Sequence, residues 1–384
     1  MCNFLLIKMR YLPLLIIISS LFISSNCSFQ STLFNRMNKE KTGENLIISP
    51  LSIFQALSLA ANGANGKTLS EMLDLLQSDS LDELNELNYQ FISIFNEYST
   101  IDIANAVMTR FNPLEDFTKI AKKYLAPIDP LESVEQVNNW CSNKTHGKID
   151  HIIDEFDPDV LMMILNAVYF KGEWTIKFSK YSTKKLPFYN LGTEETQIDT
   201  MRNIGYYNYY EDKKVQAIEL RFIKDFMTAI IILPAEGTDI NKYINTLSIS
   251  NNEYNQIIKG LKSSKVDIQL PKFELEFKQQ LNEILKDLGM SDAFNPEEAD
   301  FTAIRKEDDL YISRVIHKTY LKIFEDGCEA AAVTAIEGAG GSGMPIQEII
   351  YDMKVNRPFI FLLKNSQLPT GYDLVFMAKI EQLK

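Results

Sequence analysis

Glu325-Asp326-Gly327-Cys328-Glu329-Ala330-Ala331-Ala332-Val333-Thr334 is the stretch on which the reading of this chain turns. It follows a strand-like run and carries only small or β-tolerant residues in its second half. Such a segment can pass between packed strands without overpacking a core, and Gly327 supplies a backbone pivot at low steric cost. The alternative is an ordinary exposed Ala-rich turn, and the remainder of the chain has to choose between the two.

The 384 residues are 46% hydrophobic and 23% charged, a globular composition that suits one large domain or two ordinary ones. Residues 1–27 run from Lys8 and Arg10 through the apolar block Tyr11 to Ile23 into Ser24, Ser25, Asn26 and Cys27. This is the pattern of a secretory signal peptide. The apolar block is too short for a membrane anchor and is interrupted by Pro13 and serines. Loss of Lys8 and Arg10 leaves 37 basic residues against 51 acidic ones, moving the formal charge from −12 to −14. A nucleic-acid partner is therefore not expected, nor a membrane one. Cys2 and Cys27 leave with the signal, so Cys141 and Cys328 remain, far apart in sequence and no disulfide scaffold. Asn143-Lys144-Thr145 fits a glycosylation acceptor, which places Asn143 at the surface of a secreted protein.

Ser49-Pro50 opens a helix, with a serine able to cap the first amides and a proline where its missing N–H costs nothing. Ile53, Ala56, Leu57, Ala60 and Ala61 give that helix a broad buried face, and it ends near Asn62-Gly63. Residues 68–98 and 131–153 add further helical stretches, so the first half is mainly helical. From about Leu161 the pattern changes to apolar runs rich in β-branched and aromatic residues, such as Leu165 to Phe170 and Phe226 to Leu233. More strands are expected at 216–222, 265–273, 315–324, 359–363 and 372–380, with a helix from Lys278 to Leu288. Helices and strands do not alternate strictly, which predicts a mixed α+β fold rather than a doubly wound sheet.

Catalytic chemistry is hard to place. Gly63 to Thr68 imitates a phosphate loop, but the first glycine of that motif falls on Ala61 and a helix precedes it. Ser342 in Gly340-Gly341-Ser342-Gly343 lacks the spacing of a nucleophile elbow. Of the three histidines, His146 and His151 lie close together and His317 sits in a strand-like run, where a hydrogen-bonded core histidine is the plain reading. No metal ligand set, cofactor motif or triad assembles around them. A non-enzyme is expected.

Taken together, the motifs resemble the serpin superfamily over about residues 30–384. They are Asn45 to Ile53, Asn139-Trp140 through Ile149, Leu165 to Trp174, Leu270-Pro271-Lys272-Phe273, Leu288-Gly289-Met290, Ala299-Asp300-Phe301 and Val315 to Lys318. The hinge at Glu325 to Thr334, then Asn356-Arg357-Pro358-Phe359 and Val375 to Ile380, complete the series. The resemblance implies a single domain over 28–384, with a mainly helical N-terminal half, three β-sheets and an exposed reactive-centre loop at about 325–350. It implies a polar shutter of Ser49, Ser52, Asn166 and His317 where the main sheet parts. It also implies a breach at Trp174 and Lys272, with Lys272 and Glu325 forming a partly exposed ion pair of about 1 kcal/mol or less.

The implied function is a secreted inhibitor that traps a serine protease as an acyl-enzyme while its cleaved loop inserts into the sheet; the alternative is a non-inhibitory carrier or binding protein. Counting sixteen positions from Glu325 places the reactive bond at Gly341-Ser342, with Ala339 and Met344 as rivals. No Arg or Lys occupies 335–347, which points to an elastase-like or chymotrypsin-like target. The hinge runs through Glu329 into the small or β-tolerant Ala330, Ala331, Ala332, Val333 and Thr334, with Cys328 where Thr or Ser is commoner, adding a redox-sensitive thiol. Residues 79–98 carry Asp79, Asp82, Glu83, Glu86 and Glu97 without Lys or Arg, so heparin is not expected as a partner. A monomer is expected.

Overall fold

The computed structural model describes residues 28–97, 101–157, 159–223, 226–247, 252–307, 309–328 and 349–384. The signal segment, the hinge from Glu329 to Thr334 and the bond candidates Ala339, Gly341, Ser342 and Met344 lie outside them.

The helix Pro50–Ala61 organises the core. The Ser49 side chain accepts from the Ser52 amide, Pro50 starts the first turn, and all twelve helical residues are buried. The expectation of one broad buried face understates this: the helix is enclosed on every side, which is why it carries small and apolar residues all round. Phe29–Glu40, Gly66–Leu76 and Leu81–Glu97 pack nearby.

A five-stranded sheet lies against it in the spatial order Phe273–Gln280, Arg314–Ile323, Met162–Phe170, Ile101–Thr109, Ile128–Pro130. Its central pair, Arg314–Ile323 and Met162–Phe170, runs parallel, from Arg314 beside Met163 to Tyr320 beside Tyr169. Every residue of Met162–Phe170 is buried. The two-residue period of a strand divides them. Met162, Ile164, Val168 and Phe170 join the main core, whereas Met163, Leu165, Ala167 and Tyr169 join a second, smaller core. The helix Val134–Lys144 closes that second core with Val137 and Cys141, joined by Ile149, Ile152 and Ile153 from the segment that follows it.

A nine-stranded sheet packs on the other side of the molecule, and a two-stranded one joins Gly172–Glu173 to Gly327–Cys328. Strand Ile350–Lys354, where the described chain resumes, pairs parallel with Lys262–Pro271 at the edge of the nine-stranded sheet.

Two sequence expectations need correction. The helix expected over Lys278 to Leu288 is present but shorter, Asn282–Asp287, because Lys278, Gln279 and Gln280 instead end a strand, Phe273–Gln280. Glu274 to Gln280 alternates exposed and half-buried positions, and pairing with Arg314–Ile323 overrides the helix preference of Lys and Gln. The eighteen-residue strand Glu194–Glu211 was not anticipated, although its run of tyrosines favours extended backbone.

Leu57 is wholly buried in the central helix. Leu57→Ala is expected to cost about 2–5 kcal/mol, read as a lower urea midpoint at unchanged m-value.

Candidate functional site

The site lies along the seam between the two parallel strands. His317 and Asn166 are register neighbours there, on the face turned toward the central helix. The Ser49 amide donates to His317 Nε2 at 3.1 Å, which makes Nε2 the acceptor and puts the ring proton on Nδ1, where it is donated to Asn166 Oδ1. Ser52 Oγ lies 2.8 Å from the same Oδ1 and 3.0 Å from the Ser49 carbonyl. Asn166 Nδ2 donates onward to Asn105 on the next strand. Ser49, Ser52, Asn166 and His317 therefore meet in one network that ties the helix start to both sides of the seam. Asn105 escaped the sequence reading, because Ile101–Thr109 was not recognised as a strand; a lone amide amid Ile103, Ala104, Ala106 and Val107 was its signal.

His317 is completely buried, and the loss of hydration pushes its pKa down to about 3. The ring is neutral in the folded protein but titrates near 6.5 when unfolded. The unfolded chain thus binds the extra proton as pH falls below about 6.5, and folded stability declines from there toward pH 3.

At the end of Arg314–Ile323 the chain turns sharply. The Phe324 amide donates to Gly327 O at 3.0 Å and the Gly327 amide to Phe324 O at 3.1 Å. Trp174 holds this turn: its Nε1–H donates to Phe324 O at 3.0 Å and its amide to Asp326 O at 3.0 Å, while its ring stacks on Phe222 with centroids 4.3 Å apart. Lys180 pairs with Asp326 at 2.9 Å. Gly327 has φ +138°, and a Cβ there would stand 2.1 Å from the Gly172 carbonyl oxygen. Only glycine fits.

Lys272 and Glu325 form the expected partly exposed ion pair, the Lys272 side chain 35% exposed and Glu325 buried, and Glu325 accepts from Thr183 Oγ1 at 2.7 Å and Lys272 Nζ at 3.1 Å. Burial by itself would raise its pKa, but hydrogen bonds from Thr183, the backbone and Lys272 outweigh this and hold the carboxyl below its ordinary range. The carboxylate is thus the buried half of the pair and Lys272 its solvent-facing half, and Thr183 is a member that the sequence did not reveal. Cys328 is also buried, its thiol directed at the Lys322 carbonyl, so in this conformation it is closed to oxidants in solution.

Asn143 is exposed near the end of Val134–Lys144, whereas Thr145 of the same triplet is buried and bonded to the Cys141 and Ile149 carbonyls. His146 is exposed, with its ring edge-on to Tyr169, and His151 pairs with Asp154 at 2.6 Å; His317 instead belongs to the buried network with Ser49 and Asn166.

Residues 24–382 match the family model for serpin, the serine protease inhibitors. The chain belongs to the serpin family. It is 31% identical over 361 residues to iripin-2 of Ixodes ricinus, a match spanning 88% of each chain. It is 29% identical to the leukocyte elastase inhibitor of Xenopus laevis, over 90% of this chain and 96% of that one. Among solved structures, the thermophilic serpin tengpin in its native state superposes with a TM-score of 0.82 at 33% identity, covering 93% and 92% of the two chains. The α+β serpin fold follows, with helices and three sheets. Among the described residues no helix is long and apolar enough to cross a membrane.

Between pH 7.5 and 5, unfolding free energy should fall by about 2 kcal/mol through His317, and His317→Gln should flatten that part of the pH profile while lowering stability at neutral pH. Gly327→Ala should cost at least about 2 kcal/mol in thermal unfolding. Gly192→Ala, at φ +83° with open space around it, should cost only roughly 1 kcal/mol.

Proposed function

We propose that this serpin is a secreted inhibitor of an elastase-like or chymotrypsin-like serine protease, acting by insertion of its cleaved loop. Residues 1–27 serve as the signal and 28–384 act as one domain, a monomer carrying no cofactor. The observation that carries the reading is the parallel pair Arg314–Ile323 and Met162–Phe170. A strand folding back from the turn after Ile323 would run antiparallel to both neighbours. It would exchange one slanted parallel ladder for two straighter antiparallel ones. The turn itself is held by Trp174, Lys272 and Thr183, which gives the breach its restraint, and the Ser49, Ser52, Asn166 and His317 network is the shutter that must open lower down.

The protease supplies the attacking serine. Acylation at Gly341-Ser342, or at Ala339 or Met344, frees the loop N-terminal to the bond. Glu329 to Thr334 then enters the seam, and insertion carries the acyl-enzyme away from its starting position before it hydrolyses. Small hinge side chains suit an entering strand buried on both faces. The absence of Arg and Lys from 335–347 argues against an acidic specificity pocket. The kinship with a leukocyte elastase inhibitor supports the same preference. Glycosylation at Asn143 belongs to the same secreted reading, and heparin is no part of it.

Purified protein lacking residues 1–27 should form an adduct with pancreatic elastase, chymotrypsin or cathepsin G that survives boiling in detergent, and none with trypsin. Peptide sequencing of the released C-terminal fragment should begin at Ser342. Loop cleavage with no adduct and no gain in thermal stability would sink the inhibitory reading in favour of a non-inhibitory carrier.

A further inference from the structure

We infer that the fork between strands Glu194–Glu211 and Val215–Arg221 is a binding site for an arylalkylamine, a flat apolar body carrying a primary ammonium group. The two strands pair only from Glu211 beside Gln216 to Asn208 beside Glu219, and then they part. Segment 173–176 takes over the freed edge: the Thr175 amide donates to Arg221 O at 2.8 Å, and the Ile223 amide donates to Glu173 O at 2.7 Å. Asn203 Nδ2 ties the same stretch of chain back to the first strand by donating to Lys177 O at 3.2 Å. Hydrogen bonds thus fix both arms of the fork, and between them lies a cleft of about 430 Å³. That size is ordinary for a small-molecule site.

The lining suits an apolar body with one charged end. Ile176 and Tyr206 line the cleft while 41% and 57% exposed, so two large apolar side chains meet water at one place. Trp174 and Leu220 line it as well. Beside them runs a polar row, because Ser263, Asn208 and Glu219 are direct neighbours across three strands and so share one face. The Glu219 side chain is 18% exposed, against 64% for its partner Arg221. Its Oε1 accepts from Asn208 Nδ2 at 3.1 Å and from Arg221 Nε at 2.9 Å. Its Oε2 accepts from no described residue, and neither do the Asn208 side-chain oxygen and the Ser263 hydroxyl. The unspent capacity of the row is therefore three acceptors, one of them on a carboxylate, which matches the three N–H donors of an ammonium group. Arg221 carries its charge out into solvent, so the sheltered charge that selects the ligand is negative.

Trp174 gives the site a consequence, which rests on the insertion reading above. Its ring N–H and its amide hold Phe324 O and Asp326 O, bonds that insertion must break, and it also lines the cleft. An amine packed against Trp174 in this arrangement braces the turn and opposes its opening by mass action.

The test titrates the native protein by calorimetry with phenethylamine and, separately, with phenylpropionate, which keeps the ring and reverses the charge. The amine should bind saturably with one equivalent, and the acid should not. Glu219→Gln should weaken the amine at least about tenfold, as loss of a charged acceptor does, and Tyr206→Ala should weaken it severalfold. Tyr181→Ala, which removes an exposed ring elsewhere, should change nothing. Urea midpoints matching the unaltered chain show that the variants are folded. No saturable amine binding, binding that survives Glu219→Gln, or equal binding of the acid would each overturn the site. Uptake of a synthetic peptide copying residues 329–340, followed as a band shift on native gels, then reads the brace. At ten times its dissociation constant the amine should slow uptake by up to about tenfold, and Glu219→Gln should remove the effect. Unchanged uptake despite binding would overturn the brace alone. No uptake with or without the amine would overturn the insertion reading, while the titration still decides the site.

Discussion

The parallel ladder between Arg314–Ile323 and Met162–Phe170 is the constraint around which the molecule is arranged. Parallel pairs are usually buried on both faces, and this one is: the central helix covers one side and Val134–Lys144 with its following segment the other. Met162–Phe170 is accordingly near-continuously apolar, whereas Arg314–Ile323 also carries Arg314, His317, Lys318, Thr319 and Lys322, and the polar side chains buried here must find partners within the protein. Those partners come from elements that straddle the seam, so satisfying the buried polar groups and fastening the two strands together are one and the same requirement.

The inner face shows how closely the accounting works. Asn166 Oδ1 has two lone pairs and receives two donors, Ser52 Oγ and His317 Nδ1; its amide nitrogen has Asn105. His317 has one donor and one acceptor and uses both. A network this complete leaves no buried group unpaired while the seam is closed. Parting the strands removes several bonds together, which gives the sheet a cooperative latch. At the end of the seam the restraint has another character. Gly327 can sit against the Gly172 carbonyl only because it lacks a Cβ, and Trp174 spends both its ring N–H and its backbone N–H on carbonyls of the turn. The buried Glu325 carboxylate adds a charge that only Lys272, Thr183 and the backbone neutralise or solvate.

How far the chain could be read without coordinates depended on whether a signal was local. The capping serine and N1 proline of the central helix, the apolar runs of the central strands and the small residues of the hinge are each properties of a few adjacent residues, and they were legible. Lys278, Gln279 and Gln280 were read as the start of a helix because Lys and Gln favour helix locally, and only pairing with a strand about forty residues away decides otherwise. Thr183 stayed hidden for a related reason: nothing local links it to Glu325, and the two meet only once segments about 140 residues apart are folded together, with the Phe178 amide also donating to Glu325 O.

What the sequence by itself determined is the family, the α+β class and the four residues to watch along the seam, because motif order and side-chain pattern survive in one dimension. Tertiary structure alone decided which polar groups pair. His317 meets Asn166 across 151 positions of chain, Asn105 completes the row and Thr183 joins Glu325. Thr183 and Glu325 meet from turns, but the pairings of His317, Asn166 and Asn105 are set by strand register and by the side of the sheet on which each residue falls, and a shift of one residue would turn them to the opposite face.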